Sequence, residues 1–307
     1  MNYLIGMDGG GTKTACIATD FEGNILHQCT GGPSTFLMIG TDQVSETVFN
    51  LITECKEKLN CKYEDFKSIL LGTTGAGRRS DAEKMEAGFT EYAAKKGVSL
   101  PFYVESDARI ALEGAFSGKP GSILIAGTGS IMFGKDALGN IHRVGGFGRF
   151  IGDQGSGYVI GRRGLMLVSK DFDGRGEKTL LTELINKRFG ISTPEMLITQ
   201  IYKDGFDIAS AAPLVIEAAE KGDKLCQKVL DEECNELIEH ICSMKKKINE
   251  KVLNLSLIGG IISSDNYFAK MFSEKVAQNT PEVKIKAPDY PPAMGAIIMA
   301  KEKVQGR

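Results

Sequence analysis

The chain has 307 residues, of which 42% are hydrophobic and 25% are charged, and its formal net charge at pH 7 is -2. A chain of this length can bury a large core and suits two domains better than one. The near-zero charge, with acids and bases interspersed, argues against nucleic acid and anionic membranes as partners, because phosphate-bearing surfaces recruit clustered Lys and Arg. The N-terminus shows no basic leader and no run of eighteen apolar residues occurs, so we predict a cytoplasmic protein.

The first part of the chain predicts an α/β domain that opens with a β-meander. Apolar segments bounded by turn residues predict strands at 3–7, 14–19, 24–29, 68–72 and 102–105. Periodic apolar positions predict helices at 42–59 and 81–96, and a further helix that begins near Asp107.

The second part repeats this opening and then becomes helical. From Ser122 the order is again strand, glycine turn, strand, turn and strand. The region 157–251 is predicted to be mostly helical, with 217–247 as its clearest stretch. Strands return at 253–260 and 283–288, and the chain ends in a helix.

The cysteines predict reduced, largely buried thiols. None forms a Cys-x-x-Cys pair, and their odd number leaves at least one thiol unpaired. None of the three histidines lies at a metal-ligand spacing, so no zinc site is expected. The seven cysteines are Cys16, Cys29, Cys55, Cys61, Cys226, Cys234 and Cys242.

One glycine turn, with the hairpin that follows it, occurs twice in the sequence. Residues 127–141 (GTGSIMFGKDALGNI) lie over residues 11–25 (GTKTACIATDFEGNI) at an offset of 116, with Gly, Thr, Asp, Gly, Asn and Ile in register. Each turn offers main-chain N–H groups and a hydroxyl, from Thr12 or Thr128, to a polyanion. A single turn of this kind often does no more than close a tight hairpin. Its recurrence, with Thr14 matched by Ser130, favours a phosphate clamp, and neither copy fits a Walker A or dinucleotide-binding motif.

Six motifs in order resemble a known superfamily: YLIGMDGGGTKT, ESDARIAL, ILIAGTGS, GGFGRFIGDQGSG, LIGG and PPAMGAIIMA. Together they resemble the actin-like sugar-kinase and Hsp70 ATPases, and are most similar to the N-acetylglucosamine kinases of the BadF/BadG/BcrA/BcrD ATPase family. The resemblance covers essentially the whole chain. It implies two duplicated actin-like (ribonuclease H-like) α/β domains flanking an ATP cleft. These would be residues 1–118 with the C-terminal helix 293–307, and residues 119–292 with a helical insertion.

The resemblance also implies where ATP and Mg²⁺ bind. Asp8 would hold Mg²⁺ through water. The two glycine turns would wrap the phosphates, and the LIGG turn would lie against the nucleotide. The nucleotide-binding residues implied are Gly10, Gly11, Thr12, Lys13, Gly127, Thr128, Gly129, Ser130, Gly259 and Gly260.

Phosphoryl transfer from ATP to a hydroxyl group calls for a carboxylate that accepts the proton of that hydroxyl. Asp107 follows a strand at a helix start, where it or Ser106 could equally be a helix N-cap; the resemblance makes Asp107 the general base. Asp153 lies in a glycine turn, where a turn aspartate is the simpler interpretation. The resemblance implies that a sugar contacts Asp107 together with Ser34, Thr35, Gly75, Gly146, Phe147 and Asp153.

The function that these features favour is phosphorylation of the 6-hydroxyl of an amino sugar. N-acetylglucosamine is the first candidate, and N-acetylmuramic acid or glucosamine remain open. The sequence departs from the family pattern in the loop around Thr35 and Phe36, at Phe147 and at Gln154. The identity of the sugar therefore stays undecided. The alternatives are an ATPase activator of an acyl-CoA dehydratase or reductase, and a nucleotide-dependent switch without turnover. Exposed apolar positions among the C-terminal helices would allow a homodimer.

Overall fold

Each half of the chain builds a five-stranded mixed sheet. The computed structural model describes residues 2–306. The chain divides into two compact units, Met1–Pro120 with Ala287–Arg307, and Gly121–Lys286. The strands of the first unit are β1 Tyr3–Gly9, β2 Thr14–Thr19, β3 Ile25–Gly31, β4 Phe66–Thr73 and β5 Phe102–Ser106. Those of the second unit are β6 Gly121–Ala126, β7 Ser130–Lys135, β8 Ile141–Gly145, β9 Leu253–Ile258 and β10 Val283–Ile285.

The two sheets share one topology. The first has the order β3-β2-β1-β4-β5, in which β1, β2 and β3 pair antiparallel, while β4 runs parallel to both β1 and β5. The second, β8-β7-β6-β9-β10, has the same sequence of pairings. Strand β7 begins and ends 116 residues after β2. The repeat in the sequence is therefore a repeat of the fold, and the expected duplicated α/β class is confirmed.

The helices cover the faces of these sheets. In the first unit they are α1 Phe36–Ile39, α2 Thr41–Lys58, α3 Arg79–Lys95, α4 Asp107–Ala115 and α11 Pro292–Val304. In the second they are α5 Gly157–Phe172, α6 Leu180–Phe189, α7 Pro194–Tyr202, α8 Ala212–Glu220, α9 Lys224–Ile248 and α10 Tyr267–Asn279.

The first sheet is buried on both faces. Ile5 and Leu71 point into one core with residues of α2 and α3, and their neighbours Leu4 and Leu70 point into another with residues of α4 and α11. This alternation is the period-two pattern of strands, and it explains why these segments read as continuous apolar runs. Helices α4 and α11 meet closely, because a Cβ on Gly295 would lie 1.8 Å from the carbonyl oxygen of Ile110.

The second unit carries the additional helices that the sequence predicts. The stretch 217–247 is not one helix: it is divided between α8 and α9 by a turn at 221–223. Gly222 has φ +97° there, and Asp223 caps the next helix by accepting from the N–H groups of Leu225 and Cys226. The apolar periodicity runs through this turn, which is why the sequence pattern concealed it.

The cysteines are free thiols in the structure. Cys226 and Cys234 are fully buried in the core of the second unit, in keeping with the prediction of largely buried thiols. Within residues 2–306, no helix is long and apolar enough to cross a membrane.

Candidate active site

The first glycine turn joins β1 to β2. The N–H of Gly10 donates to the carbonyl of Lys13 at 3.0 Å, and the Gly10 carbonyl accepts from the N–H of Ser34 at 3.1 Å. Thr12 and Lys13 are exposed at the tip of the turn. The hydroxyl of Thr14 is buried and donates to the carbonyl of Gly32 at 2.7 Å. The turn is thereby tied to the chain that leaves β3, while its tip stays open to a ligand.

The second glycine turn joins β6 to β7 in the same way. The N–H of Gly127 donates to the carbonyl of Gly129 at 3.0 Å, and Thr128 is exposed like its counterpart Thr12. The hydroxyl of Ser130 is buried and donates to the carbonyl of Gln154 at 2.6 Å. The matched hydroxyls of Thr14 and Ser130 therefore share a structural task, which is to anchor each turn to a neighbouring loop.

The LIGG turn adjoins the second glycine turn. Gly259 follows β9 with φ +103°, and a Cβ there would lie 2.4 Å from the carbonyl oxygen of Ala126, the last residue of β6. The N–H of Ile261 donates to that same carbonyl at 3.3 Å. Gly259 thus lies beside Gly127, and Gly260 follows it in the turn. Sequence could suggest this adjacency only through the resemblance, because more than a hundred residues separate the two turns.

Asp8 and Asp107 are electrostatically coupled in the first unit. Asp8 lies near the end of β1, and burial together with the charge of Asp107 raises its pKa, against a smaller lowering by Lys13. Two carboxylates whose charges repel favour a bound cation, which relieves the repulsion. Oxygen ligands of this kind suit Mg²⁺, which usually keeps several waters in protein sites. The donor chemistry around Asp8 therefore fits the metal that the resemblance implies.

Asp107 is not the cap of its helix. Ser106 is the N-cap of α4, and its hydroxyl oxygen accepts from the N–H of Arg109 at 3.2 Å. Asp107 is the first helical residue and is only partly buried. Its Oδ2 accepts from the Thr74 hydroxyl at 2.8 Å, and its Oδ1 accepts from the N–H of Ala108 at 2.8 Å. Because Ser106 does the capping, the Asp107 carboxylate is available for chemistry.

Two of the residues in the first unit that are predicted to contact the sugar, Ser34 and Thr35, lie beside the first glycine turn. Ser34 and Thr35 are buried, and among the described residues neither hydroxyl has a hydrogen-bond partner. Gly9 leaves room for the first of them, since a Cβ on Gly9 would lie 1.8 Å from the Ser34 hydroxyl. Gly75 has φ +99° and follows Thr74, the residue that donates to Asp107. A buried hydroxyl without a partner costs free energy, so these two hydroxyls are candidates for a ligand's hydrogen bonds.

The residues of the second unit that are predicted to contact the sugar also lie together. Gly146 has φ +70°, and the Phe147 side chain is 71% exposed. Asp153 adopts φ +59°, and its Oδ1 accepts from the N–H of Gly148 at 3.2 Å. A Cβ on Gly129 would lie 2.9 Å from Oδ2 of Asp153. Asp153 therefore lies directly against the second glycine turn, a contact that the sequence did not reveal.

A cavity of about 490 Å³ opens beside this turn within the second unit. The Arg149 guanidinium lies over the rings of Phe150 and Tyr158, at 5.2 Å and 5.6 Å from their centroids. Neither ring was singled out from the sequence, and Tyr158 carries no local signal that would have found it. The cavity is lined by Thr128, Gly129, Arg149, Phe150, Asp153, Tyr158, Ile201, Gly205, Phe206, Asp207 and Ile208.

Comparisons with known proteins cover almost the whole chain. A family model described as the BadF/BadG/BcrA/BcrD ATPase family matches residues 5–300. The chain is 35% identical over 309 residues to the N-acetylmuramic acid/N-acetylglucosamine kinase of Clostridium acetobutylicum, covering 99% of each. It is 32% identical over 312 residues to the N-acetyl-D-glucosamine kinase of Dictyostelium discoideum, covering 97% of each. The solved structure of a candidate N-acetylglucosamine kinase from Chromobacterium violaceum has a TM-score of 0.73 at 22% identity, and the match covers 98% of this chain and 99% of that chain. This similarity shows a common fold.

Proposed function

We propose that this chain, which belongs to the BadF/BadG/BcrA/BcrD ATPase family, is an ATP-dependent kinase of the 6-hydroxyl group of an amino sugar. The observation that carries the proposal is the Asp107 carboxylate, which Ser106 frees from helix capping and which acts electrostatically on Asp8 beside the first glycine turn. Two curated relatives of nearly equal length, at 35% and 32% identity, are kinases of N-acetylated amino sugars. N-acetylglucosamine is the first substrate to test, with N-acetylmuramic acid next.

In this proposal the phosphates of ATP bind to the two glycine turns. Exposed Thr12 and Thr128 present their hydroxyls beside main-chain N–H groups, and Lys13 adds a positive charge at the first turn. Gly259 and Gly260 support the nucleotide next to Gly127. Asp8 holds Mg²⁺ through water, and the metal supplies charge neutralisation for the phosphate oxygens when it is bound.

Asp107 acts as the general base of the transfer. Its carboxylate accepts the proton of the 6-hydroxyl as that oxygen attacks the γ-phosphorus, so the oxygen carries no positive charge once it is bonded to phosphorus. The bond between the γ-phosphorus and the β,γ-bridging oxygen breaks in the same step, and ADP leaves. Thr74 orients the carboxylate by donating to Oδ2, at 2.8 Å. The second carboxylate oxygen is held by the N–H of Ala108, which keeps the group in one orientation.

Each unit carries residues that we assign to sugar contacts. Ser34 and Thr35 offer two buried hydroxyls that need partners, and Gly75 follows Thr74, the residue that orients Asp107. Asp153 offers a carboxylate that lies beside the second turn, and Gly146 and Phe147 provide the adjoining surface. Ring hydroxyls are suitable partners for these groups because they both donate and accept hydrogen bonds.

The experiment is ADP release measured by a coupled assay in the presence of ATP and Mg²⁺. The sugars compared are N-acetylglucosamine, N-acetylmuramic acid, glucosamine, N-acetylmannosamine and glucose, with a control that contains no sugar. We expect strong stimulation by at least one N-acetylated sugar. Equal ADP release with and without every sugar would refute the kinase, and would favour an activator ATPase or a nucleotide switch.

A further inference from the structure

A cluster of thiols and one imidazole lies at the edge of the first sheet and contains none of the residues assigned to ATP and sugar. The Sγ atoms of Cys16, Cys29 and Cys55 lie within 4.8 Å of one another, and the ligand atoms of His27, Cys29 and Glu54 do so as well. Cys29 belongs to both groups. No sequence motif predicts the cluster, because the three cysteines are 13 and 26 residues apart.

The fold explains how these residues meet. Cys16 on β2 is directly opposite Cys29 on β3, so the two side chains share one face of the sheet. His27 precedes Cys29 by two residues on the same strand and therefore points to the same face. Cys55 comes from α2, which packs over that face, and its Sγ lies 3.8 Å from the Sγ of Cys16.

One pair of sulfurs has the spacing of a tetrahedral metal site. Zinc binds thiolates at about 2.3 Å in a tetrahedron, which places neighbouring sulfurs about 3.8 Å apart. Cys16 and Cys55 have that separation. Three cysteines and one histidine are among the usual ligand sets of structural zinc sites. The cross-strand register and the helix thus bring candidate zinc ligands together on one face of the sheet.

We propose that Cys16, Cys29, Cys55 and His27 form a structural zinc site. One ring nitrogen of His27 completes the tetrahedron, and Glu54 accepts from the other ring nitrogen. The Glu54 carboxylate already lies 3.2 Å from Nε2 of His27. Metal-bound histidines are commonly held by a carboxylate in this way, which fixes the ring and increases its basicity.

Access is suited to metal uptake. Cys16 and Cys55 are buried, whereas the side chains of His27 and Glu54 are 19% and 45% exposed, so zinc can enter from the β3 edge of the sheet. Zinc binding displaces the thiol protons, because the metal is held by thiolates.

The site would stiffen the sheet edge next to the first glycine turn. Strand β2 begins at Thr14, directly after that turn, and β3 leads into the loop that carries Ser34 and Thr35. A metal that joins β2, β3 and α2 would hold the two strands together at this point. This role is independent of the proposed sugar phosphorylation, so either proposal can fail without the other.

The test is the zinc content of the reduced, full-length protein after gel filtration, measured by elemental analysis. We expect about one zinc per chain in the wild type and less than about 0.1 in Cys29→Ser and in His27→Gln. Cys61→Ser is the matched control, because Cys61 is a partly buried thiol of the same unit that lies outside the cluster, and it should keep its zinc. Glu54→Gln should weaken zinc affinity by about 10-fold to 100-fold in competition with a coloured chelator.

Two further measurements distinguish a metal site from other fates of the thiols. Replacement of zinc by Co²⁺ should give the visible absorption of a tetrahedral, thiolate-ligated ion in the wild type and in Cys61→Ser, but not in Cys29→Ser. Circular dichroism establishes that each variant is folded. Absence of bound zinc in the reduced wild type would overturn the proposal, as would full zinc content in folded Cys29→Ser. A Cys16–Cys29 disulfide in freshly purified protein, or iron with acid-labile sulfide in place of zinc, would also overturn it.

Discussion

Replacing Asp107 by Asn removes one negative charge and leaves the local contacts of α4 almost unchanged. The Asn carbonyl oxygen can still accept from the N–H of Ala108, and the Thr74 hydroxyl can turn to accept from the new amide. The cap of α4 is untouched, because it is made by Ser106. We therefore expect kcat to fall by about 10²-fold to 10⁴-fold, the range for loss of a general base, with ATP affinity and melting temperature close to wild type.

The matched control is Ser106→Ala, which removes the cap and keeps the carboxylate. Loss of a serine N-cap costs about 0.5–2 kcal/mol, so this variant should unfold at a lower temperature or denaturant concentration. Its kcat should stay within about 3-fold of wild type, because no group that touches the acceptor is lost. The assay is coupled ADP release at saturating sugar, together with thermal melts and nucleotide titration. Near-normal kcat in folded Asp107→Asn would refute the assignment of the base.

Three further predictions concern the metal ligand, the second turn and helix capping. Burial and Asp107 raise the pKa of Asp8, so the native state binds protons more readily there and loses stability as pH rises through that pKa. Asp8→Asn should therefore have a higher melting temperature than wild type at pH 7.5 without Mg²⁺. It should also lose at least about 100-fold in activity and gain less thermal stability from added Mg²⁺. A stabilisation by Mg²⁺ equal to that of the wild type would contradict this. Gly129→Ala places a Cβ 2.9 Å from the Asp153 carboxylate and should reduce kcat/KM for the sugar by roughly 10-fold or more. The control is Gly139→Ala, in the exposed hairpin turn beyond β7. It should leave the kinetics unchanged, although the φ of +86° at this position makes the substitution cost stability. Asp223→Ala should destabilise by about 2–4 kcal/mol in denaturant unfolding, since it loses the cap of α9 and the hydrogen bonds to Thr179 and Leu180. Burial acts to raise the pKa of Asp223, but those hydrogen bonds lower it overall, so the difference between variant and wild type should shrink as pH falls below about 4 and stay constant above it.

The duplicated fold could be predicted because its signals are local. Glycine turns, hairpin residues and apolar runs recur at an offset of 116, and β2 and β7 keep that offset at both ends. The break at Gly222 was missed because hydrophobic periodicity continues across it, although the Gly-Asp pair is a stop signal followed by a cap.

The site was predicted less completely, because sequence does not give side-chain partners. Ser106 and Asp107 were equal candidates for the cap, and only the backbone geometry assigns it to Ser106. The contact of Asp153 with Gly129 and the stacking of Arg149 on Tyr158 both depend on loop conformations that local propensity does not fix. The thiol cluster depends on the cross-strand register of Cys16 and Cys29, which no spacing rule encodes.

The identity of the phosphorylated product tests the proposed function most directly. The purified protein is incubated with ATP, Mg²⁺ and N-acetylglucosamine, and the product is examined by phosphorus–proton correlation NMR, with 6-deoxy-N-acetylglucosamine as the control acceptor. We expect a phosphate coupled to the two protons on C6, and no transfer to the 6-deoxy sugar. A phosphate on C1 or C3, or ATP hydrolysis to free phosphate at the same rate with either sugar, would contradict the assignment of a 6-hydroxyl kinase.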